Sequence, residues 1–246
     1  MSGHSKWSTI KRKKGAKDAK RGAIFSKLAR VIEVAARGGA DLDSNFRLKL
    51  AVQQAKTANM PSLNIDKAIK KGSGQDKEAS QIEEITYEGL GPGNVAIVVK
   101  ALTDNKNRTV ADLRHAFSKV GGVFGSAVGW QFEERGILHV DALADTDSQE
   151  LAIIDSGATD FDNHGDEFEI YTAPRDLDRV KSALETAGMH IVSASLGLVA
   201  KNPIRITDPH LANKILGLLE ALEDHDDVDE VFSNLDIPDE VLNQLS

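Results

Sequence analysis

The chain has 246 residues and no cysteine, which excludes disulfides, Cys–zinc sites and thiol nucleophiles. Hydrophobic residues make up 41% and aromatics only 5%, so cores of Val, Ile, Leu and Ala are expected; no run of about 18 apolar residues exists, so no membrane span is expected. The net charge of −8 is unevenly divided: residues 1–77 hold 18 Lys and Arg against 6 Asp and Glu, and residues 78–246 hold 12 against 32. Such polarity presents a cationic end to an anionic partner. Nucleic acid is the leading candidate, because phosphate neutralisation with counterion release supplies affinity without base reading.

Residues 1–22 carry Lys6, Lys11, Arg12, Lys13, Lys14, Lys17, Lys20 and Arg21 against the single acid Asp18, with no apolar periodicity. The charges are not followed by an unbroken apolar stretch, since Lys27, Arg30 and Glu33 interrupt Ile24 to Ala36, so a signal peptide is not expected. From Ile24 the period becomes helical. Ile24, Leu28, Val31, Ile32 and Ala35 share one face, and Lys27, Arg30, Val34 and Arg37 lie around the other. Gly38-Gly39 ends this helix. Ser44 is the expected cap of a second, with Leu48, Ala51, Val52 and Ala55 inward and Lys49, Gln53 and Lys56 outward. A third runs from about Ser62 to Lys71 after the break at Asn59-Met60-Pro61.

Beyond Lys77 the period shortens. Ile85 to Tyr87 and Asn94 to Leu102 read as strands around the Gly89–Gly93 turn, Arg108 to Val120 as a helix, and Ala127 to Phe132 as a strand. Residues 134–203 hold a full βαββαβ unit, the order of a ferredoxin-like sandwich. The helix Leu211–Leu222 and strand Val228–Ser233 that follow lack partners of their own and would complete the half-built sheet of 78–133. The fold class expected is α+β. A small basic three-helix domain (1–77) precedes two ferredoxin-like α/β sandwich domains. The third (134–203) is inserted into the second (78–133 with 204–246).

The basic run continues onto helices with basic outer faces, which favours a binding surface over a solvated tail. Candidate nucleic-acid contacts are therefore Lys6, Trp7, Lys11, Arg12, Lys13, Lys14, Lys17, Lys20 and Arg21, with Lys27, Arg30 and Arg37 on the first helix. Trp7 has two open readings, stacking on a base or packing as an anchor. Gly89-Leu90-Gly91-Pro92-Gly93 lacks the Gly-Lys-Ser/Thr ending of a phosphate loop and reads as a hairpin turn. Asn107 or Asp104 is the expected cap of the next helix. Seven histidines without metal-ligand spacing argue against a metal site, and acid pairs such as Glu83-Glu84 and Asp226-Asp227 read as solvated. The acidic stretch Glu223 to Glu230 reads first as a solvated helix-to-strand turn, and otherwise as a site for a basic partner or a cation or as an intramolecular shield for the basic arm. A nuclease-like enzyme is the competing class; it would need a metal constellation or paired carboxylates in a cleft.

The opening Ser2-Gly3-His4-Ser5-Lys6-Trp7-Ser8-Thr9-Ile10-Lys11, with Asn59-Met60-Pro61, Tyr87-Glu88-Gly89 and Leu102-Thr103-Asp104-Asn105-Lys106-Asn107-Arg108-Thr109, closely resembles the YebC family. Mitochondrial relatives of that family are called translational activators of cytochrome c oxidase. The resemblance implies three domains with the third inserted into the second, a cytoplasmic and non-enzymatic role in gene expression, and neither cofactor nor small-molecule substrate. It implies DNA or ribosomal RNA, on the ribosome, as the partner: transcriptional regulation or help to translation through proline runs.

Overall fold

The computed structural model describes residues 21–74, 82–143 and 145–245. Helices α1 (Arg21–Ala36), α2 (Phe46–Thr57) and α3 (Ser62–Gly72) pack around Ile32, Ala35, Leu48, Val52, Ala55 and Ile65. The α1–α2 corner is fixed by Asn45, not by Ser44. The Asn45 Oδ1 accepts from Leu48 N at 3.0 Å, while Nδ2 donates to the carbonyls of Ala35 and Gly39 at 2.8 and 2.7 Å. One side chain thus caps the start of α2 and satisfies carbonyls at the end of α1. Ser44 instead donates to Asp41 at 2.8 Å. Gly72 brings the end of α3 against α1, since a Cβ there would stand 2.0 Å from the Glu33 carbonyl oxygen.

Strands β1 (Glu83–Leu90) and β2 (Ala96–Thr103) form an antiparallel hairpin, closed by Gly91 N donating to Val95 O at 2.8 Å. Gly93 and Asn94 in its turn both take positive φ, so the glycine-rich segment is a tight turn with one 3-10 turn at Pro92–Asn94 and opens no α-helix onto a phosphate. Helix α4 (Lys106–Lys119) returns the chain to edge strand β3 (Val123–Phe124). The strand expected at Ala127 to Phe132 is not formed there. Gly125 turns the chain at φ 90, and the Glu88 carboxylate takes the amides of Val128 and Gly129 at 2.5 and 2.7 Å. Those amides are therefore withdrawn from any ladder, and the segment passes through a 3-10 turn at Gly129–Gln131.

The next sheet has the order β5-β6-β4-β7, from β4 (Phe132–Asp141), β5 (Asp160–Asn163), β6 (Glu167–Thr172) and β7 (Ile191–Ala200). Helices α5 (Thr146–Asp155) and α6 (Leu177–Thr186) cross over between its strands. Numbered within the unit this is 2-3-1-4, all antiparallel, the ferredoxin-like order. Leu138, Val140, Ile153, Phe168, Ile170, Val180 and Leu184 form its core.

After β8 (Ile204–Arg205), helix α7 (Pro209–Glu223) leads to β9 (Val228–Ser233), β10 (Leu235–Asp236) and the short α8 (Asp239–Leu242). β9 pairs antiparallel with β2, giving the order β3-β1-β2-β9 with the hairpin strands at the centre. This sheet shares the two-layer build of the inserted unit but has its own strand order. Every residue of β2 except Lys100 is buried, because both faces are covered. Leu113, Phe117, Ile215, Leu219 and Leu222 from α4 and α7 cover one face. On the other, Ala96, Val98 and Phe232 meet Val128, Phe132, Leu198 and Ala200. Among the described residues no helix is long and apolar enough to cross a membrane.

Candidate nucleic-acid interface

The site is built from the helices upward. Helix α1 is buried on two sides. One packs on α2 and α3, and the other carries Val34 against Ile82 and Leu102 of the middle sheet. This second burial redirects two of the expected phosphate contacts. Lys27 Nζ donates to the carbonyl of Glu223 at 2.5 Å. Arg30 Nη1 donates to Asp227 Oδ1 at 2.8 Å and to the carbonyl of Asp226 at 2.9 Å. Both therefore dock α1 on the acidic turn between α7 and β9.

Asp227 is the centre of that joint, with a side chain only 1% exposed. Its second oxygen receives Arg108 Nη2 at 2.7 Å and lies 2.9 and 3.1 Å from the hydroxyls of Thr109 and Thr103. Burial pushes the carboxyl up, but the hydrogen bonds from Arg108, Thr109, Arg30 and Thr103 outweigh it and hold the group at about 2. The segment Thr103 to Thr109 is thus a structural corner. Asn105, rather than Asn107 or Asp104, caps α4, and Arg108 serves Asp227. The reading of Glu223 to Glu230 as a solvated turn fails at Asp227. It also fails at Asp229 and Glu230, both only partly exposed on β9. Burial, then the neighbouring Glu230, raises Asp229 to about 7; burial likewise raises Glu230, against the pull of Lys100 at 3.2 Å.

Helix α2 is also engaged. Its Phe46 and Leu50 pack into the core of the inserted unit, Arg47 pairs with Glu84 at 2.6 Å, and Lys49 lies 3.9 Å from Asp178. That leaves α3 as the exposed cationic helix. Asn64, Lys67, Lys70 and Lys71 line a groove whose floor is Phe25, Ala29, Met60, Ala68 and Ile82, with Arg30 and Asp104 beside it. Lys71 bridges to the buried carboxylate of Glu33 at 3.0 Å. Lys67 and Lys70 are exposed and form no ion pair with a described residue, and the same holds for Lys56 on α2 and Arg37 at the end of α1. An apolar floor under free ammonium groups suits a polyanion whose bases or sugars lie on the floor.

Of the residues expected from sequence, Lys6, Trp7, Lys11, Arg12, Lys13, Lys14, Lys17 and Lys20 lie outside the described residues. Arg21 opens α1, Lys27 and Arg30 face the acidic turn, and Arg37 is exposed. Sequence reasoning noted the basic outer faces of all three helices but did not single out Lys67 and Lys70. Their i, i+3 spacing on a helix ending in two lysines was the available signal. Four of the six described histidines lie against a carboxylate, as in His190–Asp141 at 2.7 Å and His225–Asp112 at 3.3 Å. Among the described residues no three His, Asp or Glu side chains converge as metal ligands.

Comparison with known proteins bears on the same regions. Residues 5–75 match the family model described as the TACO1/YebC protein N-terminal domain, and residues 82–235 match the one described as the TACO1/YebC second and third domain. A protein of Desulfotalea psychrophila named "probable transcriptional regulatory protein" is 50% identical over 251 residues, covering 100% of both chains. One of Rubrobacter xylanophilus bearing the same name is 48% identical, again over the whole of both. The crystal structure of a conserved hypothetical protein from Aquifex aeolicus superimposes with a TM-score of 0.84 at 44% identity, covering 92% of this chain and 94% of that one.

Proposed function

The chain belongs to the TACO1/YebC family, and we propose that it is a non-enzymatic, nucleic-acid-binding regulator of gene expression, acting in the cytoplasm. The observation that carries the reading is the free pair Lys67 and Lys70 beside the α1–α3 groove, in the N-terminal third that concentrates the positive charge of a net −8 chain. The seven Lys and Arg of residues 6–20 continue that charge toward the same partner. Relatives named as probable transcriptional regulatory proteins support a regulatory role.

DNA and ribosomal RNA remain the two targets within this reading. Helices α1 and α2 are engaged by the rest of the protein, so a duplex major groove would have to be read by α3 alone. That favours phosphate contacts on irregular RNA, as a ribosome-associated factor would make them. Crosslinking in cells, with sequencing of bound RNA and DNA together, tests it: ribosomal RNA should predominate. Recovery of neither nucleic acid above a control would overturn the function itself, and predominance of promoter DNA would reassign the target.

A nuclease-like activity is the competing reading. It predicts shortening of RNA or DNA on incubation with Mg²⁺, which the binding function does not.

A further inference from the structure

Trp130 is 71% exposed, the most exposed of the large apolar side chains among the described residues. Its neighbours in the alternation, Val128 and Phe132, are 1% and 5% exposed and anchor the chain in the core on either side. Between these anchors the largest apolar side chain of the segment is turned into solvent. Isolated exposed apolar residues are common on surfaces, but this one stands on a fixed support. The Glu88 carboxylate holds the amides of Val128 and Gly129, Gln131 N donates to Val128 O at 2.9 Å, and Lys201 N donates to Gln131 O at 2.9 Å. The Asn234 amide adds a bond to Gln131 Oε1 at 3.0 Å. A ring displayed this way loses little conformational freedom when it meets a ligand.

A cation accompanies it. Lys201 Nζ donates to the carbonyl of Trp130 at 3.0 Å and has no carboxylate partner among the described residues. The nearby Glu88 carboxylate is taken up by main-chain amides, and Glu133 pairs with Arg135. An indole face and an uncompensated ammonium side by side are the two groups that hold a nucleotide in single-stranded recognition.

We infer that Trp130 and Lys201 form a second contact for nucleic acid, in which the indole stacks on an unpaired base and the ammonium meets the adjoining phosphate. The inference rests on the nucleic-acid reading above and extends it, because it selects unpaired over paired strands.

Trp7 and Trp130 are the two tryptophans of the chain, so Trp7→Phe leaves Trp130 as the single indole reporter. The full-length variant is titrated with a single-stranded RNA of about 12 nucleotides, and with the same sequence as a duplex, reading indole fluorescence and the anisotropy of a label on the RNA. Single-stranded RNA should quench Trp130, and the duplex should quench it less. Trp130→Ala should weaken single-strand binding by about 5- to 150-fold with an unchanged salt slope, Trp130→Phe should recover part of the loss, and Lys201→Gln should make the slope shallower by about one. Unquenched binding at full affinity, with Trp130→Ala equal to the parent, would overturn the stacking contact while leaving the nucleic-acid function standing. Absence of RNA and DNA binding at physiological salt would overturn both. If Trp130→Ala spares RNA binding but abolishes self-association in sedimentation, the indole belongs to a protein interface and the inference is wrong. Thermal melting of each variant should stay at the parent value, since the indole is exposed.

Discussion

Asp227 and Asp229 stand two residues apart and respond to pH with opposite sign. Asp227, held at about 2 by two guanidiniums and two hydroxyls, is charged in the fold below the pH at which it would protonate in an unfolded chain. Its contribution of about 2 kcal/mol is fully present above roughly pH 4 and is lost as the pH falls toward 2. Asp227→Asn keeps the shape but leaves Arg30 without its carboxylate partner and Arg108 with Asp104 alone. It should cost about 3 kcal/mol in urea unfolding at pH 7, and the acid limb of the stability curve should become shallower. Asp229 is raised to about 7, so the fold favours its protonated form, and that favour disappears as the pH rises through 7. Asp229→Asn should therefore raise the melting temperature at pH 8 and raise it less at pH 5; equal shifts at both would show that burial of the charge is not the cause. Neither role was legible in the sequence. An acid-rich turn next to a helix looks solvated until the helix that covers it, here α1, is placed from nearly 200 residues away, as the Arg30–Asp227 pair records.

At the scale of elements the periodic signals were legible and the pairings between elements were not. The helices now seen at Phe46–Thr57 and Ser62–Gly72 follow from their apolar spacing, and the strand–helix alternation of the inserted unit follows from its changes of period. Two kinds of feature escaped. One is the segment before Phe132, where a single side chain, Glu88, captures two amides and replaces a strand by a turn. The other is the second face of α1. Val34 is apolar among charged neighbours, yet Lys27 and Arg30 beside it are directed inward to carbonyls and a carboxylate, not outward to a ligand. A basic helix face thus has two physical meanings, and only the charge on the opposing element separates them. By that criterion Lys67 and Lys70 on α3 form no ion pair with a described residue, which is why the proposed interface rests on them.

At the scale of the whole molecule, the inserted unit leaves and rejoins the middle sheet at neighbouring points, with Lys201 N on Gln131 O at 2.9 Å. Replacing 134–203 by a short linker should leave a folded remainder with its sheet content intact by circular dichroism. Its melting temperature should be lower, because Val98, Val128 and Phe232 lose the cover of Leu198 and Ala200. The isolated 134–203 unit should fold as well; unfolded products in both cases would contradict the insertion.

The charge polarity of the chain gives the most direct test of the account as a whole. The affinity of the full-length protein for RNA, measured across salt concentration, should fall linearly on a double-logarithmic plot with a slope of roughly −0.7 for each phosphate contacted on a single strand. The double variant Lys67→Gln, Lys70→Gln should bind more weakly and lower that slope by about 1 to 2 units without changing thermal stability. A slope near zero, or a double variant indistinguishable from the parent in both affinity and slope, would contradict a phosphate-binding surface on α3.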